Sequence, residues 1–327
     1  MNLRQISRRK LIYGGLGIAT AYLTGCQTIG NFGVAQNVIV ATSTILGDWV
    51  RELLGNSPSP NASPNASPNV PVLRNILRPG DDPHTYEPVP ADTGAIETAK
   101  VIFYNGHHLE PNLIKLIHSN GAKAQTLAVG ELVKPLQLGK VADPHVWGSA
   151  SNAVIMVAGM ARFLGEVFPN LVSQGLEARL QKYQAQLRHL DTWIRDQIQT
   201  IPPQRRKLVT THDAFQYYAQ AYGLEVLGTL IGISTEEQPS AQTVKTLAQQ
   251  IRQASVPTIF AETTINPALI KAVASEAQVS LGNQPLYSDS LGTATSDGAT
   301  YIAMMTANTK AIVLGLGGQY TAFVPLA

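Results

Sequence analysis

The chain has 327 residues, of which 44% are hydrophobic and 14% are charged. This apolar content supplies a core and excludes a disordered protein, and the length suggests about two domains. Four of the 24 basic residues and none of the 22 acidic residues precede Cys26, so the rest of the chain carries 20 basic against 22 acidic residues, a net charge of −2. No long basic stripe follows, so nucleic-acid binding is not expected.

The first 25 residues have the pattern of an export signal. Basic residues precede an apolar run from Leu11 to Leu23, which as a helix at about 1.5 Å per residue spans roughly 20 Å, less than the roughly 30 Å of a bilayer core. A signal peptide over residues 1–25 is therefore predicted.

The stretch Leu23–Cys26 resembles the bacterial lipobox, which implies a lipid on Cys26 that holds the exported protein on the periplasmic or extracytoplasmic side of a membrane. An ordinary buried cysteine behind a membrane anchor is the alternative. The stretch Ser7–Leu11 also resembles a twin-arginine signal.

Strands and helices alternate after a short linker, residues 27–36. This alternation predicts parallel βαβ units in a first lobe over residues 37–172. Within it, residues 56–71 are rich in proline, asparagine and serine, which indicates a flexible surface insert. The predicted strands are 37–41, 70–77, 100–104 and 124–129, and the predicted helices are 46–54, 92–98 and 111–119.

One long amphipathic helix follows. Apolar residues recur at spacings of three and four from Leu176 to Ile198, and no glycine or proline interrupts them before Pro202. This periodicity predicts a linker helix over residues 173–201. The alternation then resumes in a second α/β lobe over residues 202–327, and two lobes joined by a rigid helix form a cleft suited to a small ligand. Its predicted strands are 207–211, 226–230 and 258–261, and its predicted helices are 214–222, 241–254 and 267–277.

Three histidines occupy similar positions at the ends of strands. His84 and His145 each close an Asp-Pro-His tripeptide, and His212 directly follows a strand. Loops at the carboxyl ends of parallel strands face the ligand crevice. Proline fixes the backbone before two of the rings, and a nearby aspartate is expected to accept the spare ring N–H, which is what a metal ligand requires. Surface or helix-capping histidines are the simpler alternative, which the repeated tripeptide makes less attractive.

A fourth ligand should be an oxygen or nitrogen from the second lobe. Four acids lie on loops that follow its predicted strands, and the spacing does not choose among Glu236, Glu237, Glu262 and Asp289. Each is equally explained as a helix cap or a solvated acid.

Several motifs together resemble one family over essentially the mature chain. They lie at Gly80–Pro88, Asn105–Glu110, Asp143–Trp147, Thr211–Phe215 and Tyr287–Gly292. They are similar to those of the zinc and manganese solute-binding proteins of ABC importers, the TroA-like and ZnuA-like receptors. This resemblance implies a lipoprotein receptor that works with ABC permease subunits. It also implies an α/β fold of two lobes, each a mainly parallel sheet flanked by helices, joined by one long rigid helix.

The resemblance also implies a ligand set and a mode of action. The metal ligands become His84 and His145 from the first lobe and His212 and Asp289 from the second, and Glu262 is expected to lie just behind them. Metal binding would draw the lobes into the arrangement that the permease recognises, with a small movement because the helix is continuous. The protein is expected to be a monomer and not an enzyme.

Zinc is the first choice of metal, with manganese as the alternative. Three imidazoles and one carboxylate form a relatively soft ligand set, and the Irving–Williams order places zinc above manganese. Manganese-selective relatives often have glutamate where His212 stands. Many zinc receptors carry a histidine-rich loop, and this sequence has none. Because imidazoles bind metal when neutral, affinity should fall below about pH 6 to 6.5.

Two other functions use the same residues. A zinc-dependent hydrolase would leave one position open for water and use Glu262 as the general base, although the sequence has no His-Glu-x-x-His pattern. A surface adhesin would use the metal structurally.

The remaining histidines and nearby aromatic residues receive simpler interpretations. His107 and His108 are weak candidates for auxiliary ligands, and His118 and His189 are predicted on helix surfaces. Core packing or shielding of the site is expected for three aromatic residues: Trp147, Phe215 and Tyr217.

Overall fold

The computed structural model describes residues 37–55 and 71–326. Outside these residues lie the predicted signal peptide 1–25, Cys26, the linker 27–36 and positions 56–70 of the predicted insert.

The first lobe is built on a four-stranded parallel sheet in the order β2-β1-β3-β4. Its strands are short and rich in β-branched residues, with Ile39, Val40 and Ile102 fully buried, as expected for a sheet covered on both faces. The elements are β1 Val38–Ala41, α1 Thr44–Leu54, β2 Val72–Asn75, α2 Pro90–Thr98, β3 Val101–Tyr104, α3 Pro111–Asn120 and β4 Gln125–Ala128.

A short hairpin and two helices complete this lobe. The strands β5 Gln137–Leu138 and β6 Val141–Ala142 pair antiparallel. The helices α4 Ala150–Val167 and α5 Asn170–Ser173 follow. By length and composition, α4 is the one helix of the described residues that is apolar enough to cross a membrane. Eight of its eighteen residues are buried within the protein.

The long helix α6 runs from Leu176 to Gln199, 24 residues or about 36 Å, and confirms the prediction from periodicity. All seven residues of the apolar stripe are buried, and they are Leu176, Leu180, Tyr183, Leu187, Leu190, Ile194 and Ile198. They belong to one core cluster that also contains residues of α1, α4, α7 and α10. The helix is therefore packed along its whole length and is not a free-standing connector.

The second lobe contains two parallel strand pairs, β7 with β8 and β9 with β10. The Phe260 amide donates to the Val209 carbonyl oxygen at 2.9 Å and joins the pairs. The elements are β7 Lys207–Thr210, α7 Gln216–Tyr222, β8 Glu225–Thr229, α8 Ala241–Gln253, β9 Thr258–Ile259, α9 Ala268–Ala277, β10 Ser280–Leu281 and α10 Tyr301–Gly315. The predicted two-lobed α/β class is confirmed.

Three helices were not predicted from the sequence: α4, the four-residue α5 and α10. The sequences of α4 and α10 are apolar around most of the helix circumference, so they lack the single stripe that marks an amphipathic helix. In the structure, the buried residues of α4 nevertheless recur at spacings of three and four, on one face. The strand predicted over 258–261 is shorter in the structure, Thr258–Ile259.

Hydrogen bonds join the lobes close to α6. On α1, Asp48 Oδ2 accepts from the Tyr301 amide at 2.8 Å, and the Thr44 hydroxyl accepts from the Leu291 amide at 2.8 Å. The Tyr301 hydroxyl donates to the Trp147 carbonyl oxygen at 2.6 Å. All these side chains are buried, so the shared core and its polar contacts fix the two halves of the chain against each other.

Truncation of the apolar stripe should therefore destabilise both lobes together. We expect Leu187→Ala to lower the free energy of unfolding by about 2–5 kcal/mol, because Leu187 is fully buried in the shared core. Chemical denaturation followed by circular dichroism measures this. Arg188→Ala, at the next and exposed position, should change stability by less than about 0.5 kcal/mol. Equal losses in the two variants would contradict a core role for this stripe.

Candidate metal centre

Four buried side chains from four loops meet between the lobes. One ligand-type atom from each of His84, His145, His212 and Asp289 lies within 4.8 Å of the others, and all four residues are at most 2% exposed. His212 lies two residues beyond β7, and the other three lie on loops that follow β2, β6 and β10. The carboxyl ends of the parallel strands β2, β7 and β10, together with the loop after the antiparallel strand β6, thus bring together residues more than 200 positions apart in the sequence.

The two Asp-Pro-His tripeptides form the same local turn. The His84 amide donates to Asp82 Oδ1 at 2.9 Å, and the His145 amide donates to Asp143 Oδ1 at 3.0 Å. An aspartate that accepts the amide two residues ahead is a standard turn, and the intervening proline restricts the backbone that carries it. The repeated tripeptide therefore presents two imidazoles in the same way from two different loops.

Acidic side chains hold two of the rings from behind. His145 Nδ1 donates to Asp143 Oδ1 at 2.8 Å, and His212 Nδ1 lies 2.5 Å from Glu262 Oε2. Glu262 Oε1 also accepts from the His212 amide at 2.8 Å. These contacts leave Nε2 of each ring for the centre of the cluster.

The expectation that the aspartate beside each histidine orients its ring is met only at His145. Asp82 is occupied by the His84 amide and by the Thr235 hydroxyl, 2.6 Å away on the other lobe. Asp213 accepts from the Gln216 side chain at 2.8 Å. At His212, the acid that contacts the ring is Glu262, 50 positions away in the sequence, and not the adjacent Asp213.

The inward-facing atoms have the spacing of metal ligands. His84 Nε2 and His145 Nε2 are 3.3 Å apart. Asp289 Oδ1 lies 3.3 Å from His145 Nε2, and Asp289 Oδ2 lies 3.2 Å from His212 Nε2. Tetrahedral ligands at about 2.05 Å from zinc are about 3.3 Å apart. Within the described residues, neither oxygen of Asp289 has a hydrogen bond of good geometry although both are buried. Buried carboxylate oxygens without hydrogen-bond partners are suited to binding a cation.

Burial and the neighbouring charges shift the pKa values of all four residues in this cluster. Burial lowers the pKa of His84 to about 3. Burial also acts to lower the pKa of His145, but its hydrogen bond to Asp143 and the negative charges of Asp143 and Asp289 raise it to about 9. Burial likewise opposes the charges of Glu262 and Asp289 at His212, which hold that pKa well above its usual range. In Asp289, burial is outweighed by His212 and His145, so its pKa lies well below the ordinary value.

Other candidate residues lie outside this cluster. Glu236 and Glu237 are exposed, and among the described residues the cluster includes neither them nor His107, His108, His118 or His189. His107 and His108 both have positive φ angles in the loop after β3. Of the aromatic residues, Trp147 packs against the site, with its ring centroid 5.5 Å from that of His145. Phe215 and Tyr217 are buried in the shared core.

Several contacts that seal the site were not anticipated from the sequence. Trp147 Nε1 donates to the Ser288 carbonyl oxygen at 3.0 Å, beside Asp289. The Tyr217 hydroxyl donates to the Asp143 carbonyl oxygen at 2.9 Å. These partners are 141 and 74 positions apart, so no local sequence signal could have identified them.

Comparisons with known proteins point to one group. The family model for ZnuA, the periplasmic zinc-uptake complex component A, matches residues 39–315. The zinc-binding protein TroA of Treponema pallidum is 35% identical over 253 residues, covering 75% of this chain and 81% of that protein. The manganese-binding lipoprotein MntA of Bacillus subtilis is 30% identical over 310 residues, covering 91% and 96%. The solved structure of the periplasmic zinc-binding protein TroA from Treponema pallidum matches with a TM-score of 0.79 and 31% identity, covering 86% and 99%.

Removal of the carboxyl group behind His212 should change the titration of that ring. We expect Glu262→Gln to lower the pKa of His212, because the Glu262 charge helps to raise it. A raised histidine pKa stabilises the fold below the pKa of the unfolded chain, and this stabilisation is lost as pH rises through the folded-state value. The variant should therefore lose stability mainly on the acidic side of that folded-state value. NMR titration of the imidazole nitrogens in metal-free protein measures the shift.

Glu236→Gln is the matched control, since Glu236 is an exposed acid of the same lobe. It should leave the His212 titration unchanged. An unchanged His212 titration in the Glu262 variant would contradict the assigned contact.

Proposed function

Because the chain belongs to the ZnuA family of periplasmic zinc-uptake components, we propose that it captures zinc between its lobes and delivers the ion to an ABC permease. His84, His145, His212 and Asp289 would bind the ion, with Asp143 and Glu262 orienting two of the rings. The observation that carries this proposal is the convergence of three Nε2 atoms on a buried carboxylate without other partners of good geometry.

The ligand set favours zinc over manganese. Imidazole suits zinc, whereas manganese prefers carboxylate, carbonyl and water oxygens, and zinc stands higher in the Irving–Williams order. One similar protein is named for zinc and another for manganese, so manganese is the alternative cargo. A switch to manganese would require more oxygen ligands than the single carboxylate of this cluster provides.

The organisation of the chain follows from the same proposal. We place the first lobe at residues 37–172, the linker helix region at 173–201 and the second lobe at 202–327. An export signal over residues 1–25 and a lipid on Cys26 would hold a monomeric receptor at the extracytoplasmic membrane face. Relatives named as lipoproteins support this arrangement.

A receptor explains the site better than a hydrolase does. A catalytic zinc site keeps one position open for water and needs a base aimed at that water. Here Glu262, the candidate base, contacts the backbone amide and Nδ1 of His212, on the side of the ring away from the cluster. The fourth protein ligand, Asp289, closes the shell. An adhesin with a structural metal would not need a site assembled from both lobes.

Metal analysis of the mature domain tests the site directly. Residues 27–327, stripped with chelator and offered equimolar zinc and manganese, should retain one zinc per chain. We expect His145→Ala and Asp289→Ala to lose at least 100-fold in zinc affinity, since each removes one of four ligands. His212→Glu should shift retention toward manganese by adding a carboxylate. Elemental analysis and chelator competition give the two readouts.

His118→Ala serves as the control, because His118 is exposed on α3 and should bind zinc as the natural protein does. Zinc retention by Asp289→Ala at unchanged affinity would remove Asp289 from the ligand set. Retention of neither metal by the natural sequence would overturn the receptor assignment.

Zinc binding should release protons at neutral pH. His145, with a pKa of about 9, and His212, with a pKa well above its usual range, must lose protons to bind, whereas His84 is already neutral. Affinity should therefore keep rising at least to about pH 9, by about tenfold per pH unit for each proton still to be released. This range extends well above the pH 6 to 6.5 expected from an ordinary histidine.

Calorimetry at pH 7.5 in buffers of different ionisation enthalpy should detect about two protons per zinc. No proton release would contradict the charged state of these rings, and constant affinity from pH 7.5 to 5 would contradict histidine ligation.

A further inference from the structure

A further buried carboxyl group, Glu110, lies beneath the first lobe's loops and has no role in the site described above. It is 1% exposed. Its Oε1 accepts from the Asn105 amide at 2.6 Å and from the Thr42 hydroxyl at 2.9 Å. Thr42 follows β1 and Asn105 follows β3, so this one oxygen ties two strand ends together. Oε2 is buried and has no hydrogen bond to the described residues.

Asn105 connects Glu110 to a ligand-bearing loop. The Asn105 side-chain amide donates to the Pro144 carbonyl oxygen at 2.9 Å, and Pro144 stands between Asp143 and His145. The Asn105 backbone is fixed as well, because its carbonyl oxygen accepts from the Gly130 amide at 2.8 Å. A Cβ atom at Gly130 would lie 2.7 Å from that oxygen, so the two segments are in close contact.

Helix capping does not account for the Glu110 side chain. Glu110 is the N-cap residue of α3, but its side chain makes no capping hydrogen bond. A glutamate buried only for packing would be more stable as glutamine or an apolar residue, since burying a charge without a cationic partner is costly. None of its hydrogen-bonding groups is cationic.

We propose that Glu110 is a positioning residue for metal capture, which holds Asn105 and, through the Pro144 peptide, the loop that presents His145. This inference rests on the proposed function. The ionised carboxylate accepts both hydrogen bonds best, and its negative charge also favours a divalent cation in the neighbouring site.

The contribution of Glu110 should depend on pH. Burial raises its pKa to about 7, against the hydrogen bonds from Asn105 and Thr42. The titratable groups near Glu110 include Tyr104 on β3, Glu131, and His107 and His108, which precede it in the same loop. The pKa of Tyr104 is raised by burial and by the charges of Glu131 and Glu110. The support that ionised Glu110 gives to metal binding is therefore present above pH 7 and lost below it.

The test compares zinc dissociation constants of the natural protein and Glu110→Gln between pH 8.5 and 6, by chelator competition. Glutamine keeps an oxygen acceptor for Asn105 and Thr42 but carries no charge. Zinc should bind the variant about tenfold more weakly at pH 8, in the range found for residues behind metal ligands, and nearly equally at pH 6. Because the histidines titrate in both proteins, their effect on affinity cancels in the ratio of the two dissociation constants. Glu131→Gln, an exposed acid beside Gly106, should give a ratio near one throughout.

A double-mutant cycle tests the connection through Asn105. Asn105→Ala cuts the bond to Pro144 but keeps the backbone amide that donates to Glu110, so adding Glu110→Gln to it should change affinity less than Glu110→Gln does alone. If Glu110→Gln does not fold, Thr42→Val replaces it. Loss of that hydroxyl raises the pKa of Glu110, so Thr42→Val should weaken zinc binding most near pH 7 to 7.5.

The outcomes separate this inference from the proposed function. A natural protein that binds zinc, with a Glu110→Gln ratio near one or constant at every pH, would overturn the positioning role and leave the receptor assignment intact. For Thr42→Val, an effect independent of pH would do the same. A natural protein that binds no zinc would overturn both.

Discussion

The structure depends on keeping three imidazoles and three carboxyl groups in one dry volume between two lobes. Isolated charges there would be very costly, so each must face a partner. Asp143 and Glu262 stand behind two rings, Asp289 stands before them, and His84 is held neutral by burial. The loops, the proline turns and the cross-lobe hydrogen bonds all serve to keep these groups at such distances. A bound cation would complete the arrangement by meeting the inward-facing oxygens of Asp289.

The linker helix limits how far the two lobes of this receptor can move apart. Its apolar stripe is buried along the full length of α6 in a core that also contains residues of α1, α4 and α10. A hinge would have to expose part of that core, at about 25 cal/mol per Å² of apolar surface. Small displacements of the loops therefore change the site more easily than wide separation of the lobes does.

Sequence reasoning predicted what local patterns can encode. The stripe from Leu176 to Ile198 determined α6, the alternation of strands and helices determined the fold class, and the repeated Asp-Pro-His tripeptides identified two turns that the structure brings together. The helices α4 and α10 were missed because neither has a single apolar face. The choice of Asp289 over Glu236 came from resemblance and not from spacing. The link from Glu262 to His212 spans 50 positions, and no periodicity encodes such a contact. The roles of these residues as metal ligands stay predictions.

The hydrogen bond from the Thr235 hydroxyl to Asp82 has a kinetic consequence. It joins the second lobe to the loop that presents His84. In the proposed receptor, this bond would have to break before these two segments could separate around the ion. Equilibrium affinity can then be high or moderate while residence time stays long. Unloading would then be the slow step of the proposed transport cycle, and a docked permease would accelerate it by breaking this contact.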